Sequence, residues 1–478
     1  MPLPQRMPLS MSLTYFAIYL AAAAAFATPS LRAESFDTGA EALVLTLAKE
    51  TIAMRSVRGP GNQSADVANR FRQALVEGGW PAQEIEVIPF EETAYFIATW
   101  QGLDRNAGAI IISAHLDVVD ADPADWTRDP FTPVVEDGYL FGRGASDTKF
   151  DASLALVATL RLRQTGYQPS RDIVIAYSGD EETTMATSKV IAERFRDAHL
   201  VLNVDGASGT LDETTGEPLY WSWQGAEKSY IDYRLEVTNP GGHSSAPRED
   251  NAIAQLSGAL SRIAAHRFEP ELNDITLAYF EQAANLEKDP HKAAAMRAFA
   301  ANPMDPEALR VLRSDPYLIG RTATTCVPTM IEGGHAPNAL PQRASAVVNC
   351  RVFPGRSFEE VQAELAVVAN EPALTITDMS GDETTQAPAS PYNPAFVGAF
   401  KRALYGAWGE MPIIPMQASG ASDSMWYRAL GVPSYGASST FMKESDDFSH
   451  GLNERVPINN IRPGLAYYQA LLQDLTSP

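Results

Sequence analysis

Apolar residues in the first half of the chain follow two spacings, one typical of helices and one typical of buried strands. Apolar positions recur three and four residues apart in three predicted helices, at 41–54, 65–78 and 152–163. Short, continuously apolar runs predict strands buried on both faces at 107–114, 172–178 and 200–204. Helices that alternate with buried strands predict an α/β fold, with a mostly parallel central sheet flanked by helices.

The pattern changes near residue 224. Residues 229–238 alternate apolar and polar side chains, which predicts a half-exposed antiparallel strand. The predicted elements that follow are helix 251–266, a charged helical stretch to about residue 316, strands 321–331 and 343–352, helix 357–370 and strand 374–379. A predicted helix at 394–406 and apolar runs at 411–416 and 432–435 return to the α/β pattern of the first part of the chain. We therefore predict an inserted α+β domain over 224–383, between the two parts of one α/β domain, 34–223 and 384–478.

The N-terminus has the features of a secretory signal peptide. Arg6 precedes an uncharged apolar run at 13–27, and small residues offer cleavage after Ala27 or Ala33. We expect residues 1–33 to be removed and the protein to be exported, to the periplasm or the medium, with no membrane contact after cleavage. The alternative is an uncleaved membrane anchor, although the run is shorter than the ~20 residues that a spanning helix needs.

The two cysteines, Cys326 and Cys350, lie on the two predicted strands 321–331 and 343–352. Antiparallel pairing of these strands would bring the thiols together, and an oxidising compartment permits a disulfide. Neither cysteine stands in a recognisable nucleophile context, so we expect no thiol catalysis.

The formal charge of −22 and the pI near 4.7 exclude some partners. Such a surface repels nucleic acid and anionic lipid, so no nucleic-acid partner is expected. A local basic pocket for an anionic substrate stays compatible with this charge.

Ligand-type side chains follow three of the predicted buried strands: His115 and Asp117, then Asp180 to Glu182, then Asp205. The carboxyl ends of parallel strands share one edge of a sheet, where ligands of α/β proteins bind. Asp147 lies in a Gly-rich turn before a helix, and His450 lies in the segment FSHGLNER. Imidazole and carboxylate are zinc ligands, and a bridging carboxylate can hold two ions.

The acidic pair Glu181-Glu182 suggests two roles, because one can bind metal while the other acts as general base. Asp117 could accept the imidazole N–H of His115 and fix its tautomer. Taken singly, a His-x-Asp is more often a capping arrangement, and an acidic run is more often a solvated helix N-terminus. Their joint occurrence at strand ends, in a chain with only seven histidines, favours a metal site.

Eight segments between residues 113 and 455 together resemble one known family. They are SAHLDVVDADPADWTRDPFTPVVEDGYLFGRGASDTK, YSGDEE, NVDGA, NPGGHSS, APNALP, RVFPG, SGASDS and SHGLNER. They are similar to segments of the cocatalytic dizinc metallopeptidases that include glutamate carboxypeptidase, aminoacylase, carnosinase and succinyl-diaminopimelate desuccinylase. Within this family, the sequence most resembles carboxypeptidase S and the N-acyl-amino-acid hydrolases. The resemblance implies a zinc-peptidase-like catalytic domain and an inserted lid or dimerisation domain.

The resemblance implies roles for particular residues. The implied metal ligands of two Zn²⁺, or of Co²⁺ or Mn²⁺, are Asp147 as the bridge, His115 and Asp205 on one ion, and Glu182 and His450 on the other. The implied catalytic residues are Glu181 as the base, Asp117 beside His115, and His243, which would reach the active site of the neighbouring subunit in a homodimer. The implied substrate-binding residues are Asn338, Arg351, Gly420 and Ser422, with Arg351 on the substrate carboxylate. Arg351 as a strand-edge ion pair and His243 as a plain loop histidine are the alternatives.

Two positions depart from the family pattern. Thr148 follows Asp147 where many relatives carry an acid or Met, and Asn349 stands where Asp is common. Both departures bear on specificity, because neither residue is an implied ligand.

The implied activity is metal-dependent hydrolysis of a peptide or amide bond next to a free carboxylate, by a water that two zinc ions activate. Expected substrates are small peptides or N-acyl amino acids. The alternatives are an aminoacylase-type or N-carbamoyl amidohydrolase, and a protein that holds metal without catalysis.

Overall fold

The computed structural model describes residues 38–477, so the predicted signal peptide lies outside the described part of the chain. The helices are α1 Thr38–Ile52, α2 Ser64–Glu77, α3 Lys149–Gln164, α4 Ala186–Arg194, α5 Ala252–Ala265, α6 Asp274–Ala283, α7 Pro290–Ala301, α8 Pro306–Arg313, α9 Ile319–Thr322, α10 Phe358–Ala369, α11 Pro394–Trp408, α12 Ser424–Ala429 and α13 Ile461–Thr476. The strands are β1 Ile85–Phe90, β2 Thr93–Trp100, β3 Ile110–His115, β4 Val134–Glu136, β5 Tyr139–Phe141, β6 Ile173–Ser178, β7 Leu200–Asn203, β8 Ser208–Leu211, β9 Pro218–Glu227, β10 Ser229–Thr238, β11 Gly242–His243, β12 Thr325–Gly333, β13 Ala339–Leu340, β14 Arg343–Val352, β15 Leu374–Asp378, β16 Ile413–Ala418, β17 Ser434–Gly436, β18 Phe441–Met442 and β19 Arg455–Pro457.

A large mixed sheet forms the centre of the α/β part. Its strand order is β1-β2-β6-β3-β7-β17-β9-β8-β18, and β16 pairs with β9 in addition. The central strands β6, β3, β7 and β17 run parallel to one another. The β1–β2, β2–β6, β17–β9 and β8–β9 pairs are antiparallel. The predicted α/β fold with a mostly parallel central sheet is therefore confirmed, with antiparallel strands added towards its edges.

Helix α3 packs against β3, α1 and α13, and it is buried without interruption from Lys149 to Leu160. Its apolar residues face neighbours on every side, which explains why its sequence shows little amphipathic contrast. Burying each large aliphatic side chain here stabilises the fold by about 1.5–3 kcal/mol. The helix start, next to Asp147, is thereby held firmly against the sheet.

A second, four-stranded antiparallel sheet has the order β12-β14-β10-β15. Strand β10 buries alternate residues, as its sequence predicts, against a separate apolar core shared with α5 and α10. Cys326 on β12 lies directly opposite Cys350 on β14, and the two form a disulfide. The predicted pairing of these strands and their cysteines is present.

The helical segment α6 to α8 packs differently from the rest of the predicted insert. Phe280 and Phe299 share an apolar cluster with Ile414 of β16 and Tyr220 of β9, both in the large sheet. The segment therefore packs against the large sheet. The domain boundaries drawn from the sequence stay a prediction.

Candidate metal centre

Three strand ends bring the predicted ligands to one edge of the large sheet. Strand β3 ends at His115 and pairs in parallel with β6 on one side and β7 on the other. Glu182 follows β6 by four residues and Asp205 follows β7 by two. The three carboxyl ends are therefore adjacent, as the parallel arrangement requires.

Asp147 lies between two imidazoles that come from distant parts of the chain. Its Oδ1 is 2.9 Å from His115 Nε2, and its Oδ2 is 3.1 Å from His450 Nε2. Asp205 Oδ1 lies 3.7 Å from His115 Nε2, and a Glu182 oxygen lies 3.0 Å from His450 Nε2. The structure thus brings all five predicted ligands together, with Asp147 shared between two groups.

The donor set of these groups fits a pair of divalent cations. Two ligands of one tetrahedral zinc ion, each about 2.0–2.1 Å from the metal, are about 3.3 Å apart. The ligand atoms here are separated by 2.9 to 3.7 Å. Ligand atoms of His115, Asp147 and Glu182 also lie within 4.8 Å of one another. Both groups mix imidazole and carboxylate, the ligand types that zinc accepts.

His115 is held by a backbone group and not by the predicted side chain. Its Nδ1 lies 2.9 Å from the carbonyl oxygen of Asp117, whereas the Asp117 Oδ1 atom is 3.6 Å away, beyond hydrogen-bond distance. The Asp117 carboxylate accepts the backbone N–H groups of Glu181 and Glu182 instead, each at 3.1 Å. Asp117 therefore fixes the acidic segment after β6, while its carbonyl orients the imidazole.

The acids and imidazoles of this cluster shift one another's pKa values. Burial alone would lower the pKa of His115, but Asp205, Asp117 and Asp147 raise that pKa well above its ordinary value. Hydrogen bonds to Asp147 and Glu182 raise the pKa of His450 to about 10. Burial and the charge of Asp147 raise the pKa of Asp205 to about 7. So many buried carboxylates attract positive charge, which protons or metal cations can supply.

Glu181 lies in the same cavity without a partner for its carboxylate. It is 8% exposed, and burial raises its pKa well above the ordinary value despite the nearby His115. Among residues 38–477 no side chain or backbone group donates a hydrogen bond to its carboxylate. An acid with a raised pKa and free oxygens can take a proton and give it back.

A cavity of about 600 Å³ opens from this cluster towards the small sheet. Its walls include Asp147, Glu181 and Arg351, together with the predicted substrate-loop residues Gly420 and Ser422. One cavity therefore joins the ligand cluster to a cationic side chain.

Arg351 is half-buried, and its guanidinium lies 4.8 Å from the centre of the Tyr230 ring. Burial lowers its pKa, but guanidinium stays charged at physiological pH. Within the described part of the chain no carboxylate lies within 4 Å of this guanidinium, so the alternative of a strand-edge ion pair finds no partner. An unpaired charge in a cavity is suited to an anionic ligand group.

Tyr230 and Asp232 are site residues that the sequence analysis missed. Both line the cavity, and the Tyr230 hydroxyl donates a hydrogen bond to Asp232. Asn349 Nδ2 donates to the other Asp232 oxygen at 2.9 Å. The alternation along β10, which places 230 and 232 on one face, was the available signal. An aspartate at 349 would set a second carboxylate against Asp232, so Asn349 suits this neighbour.

His243 and Asn338 lie together but outside the cavity of their own chain. His243 pairs with Ala339 in the β11–β13 ladder, and the Ser244 N–H donates to the Asn338 carbonyl at 3.0 Å. Both residues are exposed, and neither belongs to the cavity wall. Within a single chain, His243 and Asn338 are therefore separate from the other ten predicted site residues.

A sequence model described as "Peptidase family M20/M25/M40" matches residues 111–474. "Probable carboxypeptidase S-like 2" of Dictyostelium discoideum is 26% identical over 390 residues, covering 79% of this chain and 74% of that protein. "Aminoacylase-1B" of Rattus norvegicus is 26% identical over 454 residues, covering 91% of this chain and 95% of that protein. The crystal structure of the M20 family metallo-carboxypeptidase Sso-CP2 from Sulfolobus solfataricus superposes with a TM-score of 0.67 at 19% identity, covering 90% and 98%, which supports the fold.

Proposed function

Because this chain belongs to peptidase family M20/M25/M40, a family of metal-dependent hydrolases, we propose that it cleaves the amide bond next to a free carboxylate. The observation that carries the proposal is Asp147, whose two oxygens each face a different imidazole in a cavity that also contains Arg351. Hydrolysis of peptide or amide bonds is the activity of the family. The position of the bond, the two ions and the residue roles are our proposal.

Two zinc ions would be held by this cluster. His115 and Asp205 would hold the first, His450 and Glu182 would hold the second, and Asp147 would contribute to both. When bound, the ions would polarise the substrate carbonyl and acidify the attacking water. Cobalt or manganese suits the same ligands.

Glu181 is the proposed general base. Its carboxylate has no hydrogen-bond donor among residues 38–477 and faces the cavity, so it can take the proton of the attacking water. The same carboxyl group then returns that proton to the departing amide nitrogen. Asp117 holds the backbone of Glu181, and this fixes the base relative to His115.

Arg351 is the proposed partner of the substrate carboxylate. A guanidinium offers two parallel N–H groups that match a carboxylate, which gives orientation as well as binding energy. The ring of Tyr230 supports one face of this guanidinium. Gly420 and Ser422, which line the same cavity, would contact the rest of the substrate.

An N-acyl-amino-acid hydrolase is the second candidate. Its support is the 91% coverage of this chain by Aminoacylase-1B, a longer match than the one to the carboxypeptidase S-like relative. Both activities use one metal centre and one carboxylate site, and they differ in the group on the other side of the bond.

We also propose a homodimer that forms through the small sheet. Strand β12 lies at the edge of that sheet, and its Val327, Met330 and Ile331 are 57%, 61% and 62% exposed. Exposed apolar residues on an open strand edge favour pairing with another chain. In such a dimer the partner subunit's His243 would approach the cavity and donate to the developing oxyanion, with Asn338 beside it.

Export is proposed from the N-terminal features of residues 1–33. The Cys326–Cys350 disulfide supports it, because oxidising compartments are where such bonds persist. Sequencing the N-terminus of protein recovered from the periplasm or medium would test this, and a chain that begins at residue 1 in the cytoplasm would contradict it.

Metal content and a substrate panel together test the proposed activity. Zinc bound per chain is measured on the purified protein, and hydrolysis of dipeptides, N-acyl amino acids and N-carbamoyl amino acids is assayed with and without chelator. We expect two ions per chain and chelator-sensitive cleavage of substrates with a free carboxylate. Two bound ions without cleavage of any panel member would favour a metal-holding protein without catalysis.

A further inference from the structure

The carboxylate of Glu454 is completely buried four residues after His450. Its Oε1 accepts the Ser146 N–H at 2.8 Å, the Asp147 N–H at 3.0 Å and the Ser146 hydroxyl at 3.0 Å. Its Oε2 accepts the Gly144 N–H at 3.0 Å and an Arg143 guanidinium N–H at 2.7 Å. One carboxylate thus receives five donors from a single short turn.

That turn carries Asp147, the residue between the two imidazoles. Gly142 and Gly144 have φ angles of 151° and 86°, and this conformation turns successive N–H groups towards one point. Converging backbone N–H groups form an anion site, which the Glu454 carboxylate fills. A buried carboxylate is costly unless several donors satisfy it, so the turn and Glu454 depend on each other.

Glu454 also belongs to the segment that carries His450. A second Arg143 N–H donates to the Gly451 carbonyl at 3.3 Å, and the Gly142 N–H donates to the Glu454 carbonyl at 3.0 Å. Strand β19 continues the same attachment by pairing with β5. The Glu454 carboxylate and these neighbouring contacts therefore join the turn of Asp147 to the loop of His450, about 300 residues away in sequence.

We propose that Glu454 is a positioning residue of the metal centre, which sets the separation between the Asp147 carboxylate and the His450 imidazole. The role rests on the proposed function, since those two groups are the proposed ligands of the second ion. Glu454 is not one of the proposed ligands, and it acts through the backbone N–H of Asp147. Metal affinity, more than the fold, should depend on it.

Glu454→Gln tests this role, because it keeps the shape and replaces one acceptor oxygen with a donor that faces other donors. Glu227→Gln is the matched control for metal affinity, not for activity. Glu227 is also buried and paired with a buried arginine, Arg428, at 3.0 Å, but its carboxylate accepts from the Ser422 hydroxyl and from no group of the Asp147 turn. Zinc affinity is measured by competition with a chromogenic chelator. We expect about a 10- to 100-fold loss for Glu454→Gln, the range found when a group that orients ligands is changed, and less than twofold for the control.

The visible absorption of the Co²⁺-loaded protein gives a second readout, because it reports coordination geometry. We expect it to change in Glu454→Gln and to stay unchanged in Glu227→Gln. If Glu454→Gln does not fold, Glu454→Asp is used to test the proposal, because it keeps the charge while moving the carboxylate back by one methylene. Metal affinity and Co²⁺ absorption equal to wild type in a folded Glu454 variant would overturn the proposal.

Asp147→Asn separates this outcome from failure of the metal centre. If Asp147→Asn loses metal and Glu454→Gln does not, only the role of Glu454 is wrong. If Asp147→Asn binds zinc as wild type does, the metal centre itself is misplaced, and the inference about Glu454 falls with it.

Discussion

Arg351→Met should separate substrates that carry a free carboxylate from those that do not. The substitution removes the guanidinium and keeps an apolar stem of similar length. Hydrogen bonds to charged groups contribute about 1.5–3 kcal/mol each, and a pair in a half-open cavity contributes about 2–4 kcal/mol together. At 1.4 kcal/mol for each factor of ten, kcat/KM should fall about 30- to 700-fold on a carboxylate substrate.

The assay compares each substrate with its carboxamide analogue, on wild type and on the variant. On the carboxamide, wild type should already be slow, and the variant should lose less than about fivefold, because the lost contact involves only the carboxylate. The free energy of unfolding should change by less than about 1 kcal/mol, since the contact with Tyr230 is a single cation–π pair. An equal loss on both substrates would place Arg351 outside the carboxylate site.

Three further outcomes are expected. Glu181→Gln should keep bound metal yet lower kcat about 100- to 10,000-fold, and a loaded variant with wild-type kcat would remove Glu181 from the chemistry. His243→Ala should lower turnover with an unchanged melting temperature, and mixing it with Glu181→Gln should restore part of the activity; mixed dimers without recovery would contradict a cross-subunit role. Burial lowers the pKa of Lys228 to about 7. In the unfolded chain the lysine pKa is about 10.4, so between about pH 7 and pH 10.4 the unfolded chain binds one more proton than the folded chain. Over that pH range, the free energy of unfolding of wild type minus that of Lys228→Met, measured by urea titration, should therefore rise with pH. A difference that falls with pH would contradict this prediction.

The parts of the fold that could be predicted are those in which local pattern and tertiary packing agree. Strand β3, helix α3 and strand β6 are apolar because the large sheet is covered there on both faces. The alternation of β10 matches its half-exposed position in the small sheet. By contrast, the β1–β2 hairpin was missed. Strand β2 is almost wholly buried and contains the apolar run 94–98, but a run of five apolar residues does not by itself distinguish a strand from a buried helical segment.

At the metal centre, residue types at strand ends indicated His115, Glu182 and Asp205, and the family resemblance was needed to name Asp147 and His450 and to assign all five as ligands. Hydrogen bonds between distant segments were not accessible in the same way. Spacing alone assigned the Asp117 carboxylate as the partner of the His115 imidazole. In the structure the turn after β3 places the Asp117 backbone carbonyl, and not its carboxylate, within hydrogen-bond distance of His115. Glu454 and Arg143 pair across about 300 residues, and nothing in either segment taken alone indicates that contact.

The Cys326–Cys350 bond closes a covalent ring that contains the exposed segment 331–338. Closing a ring of this size lowers the entropy of the unfolded chain by an amount equivalent to about 3–4 kcal/mol. A protease that cuts this exposed segment would leave both fragments linked, so the nicked chain would migrate as one band until a reductant separates it. Asn338 lies in this exposed segment. A backbone break there would open the ring, but the disulfide would still hold β12 and β14 together.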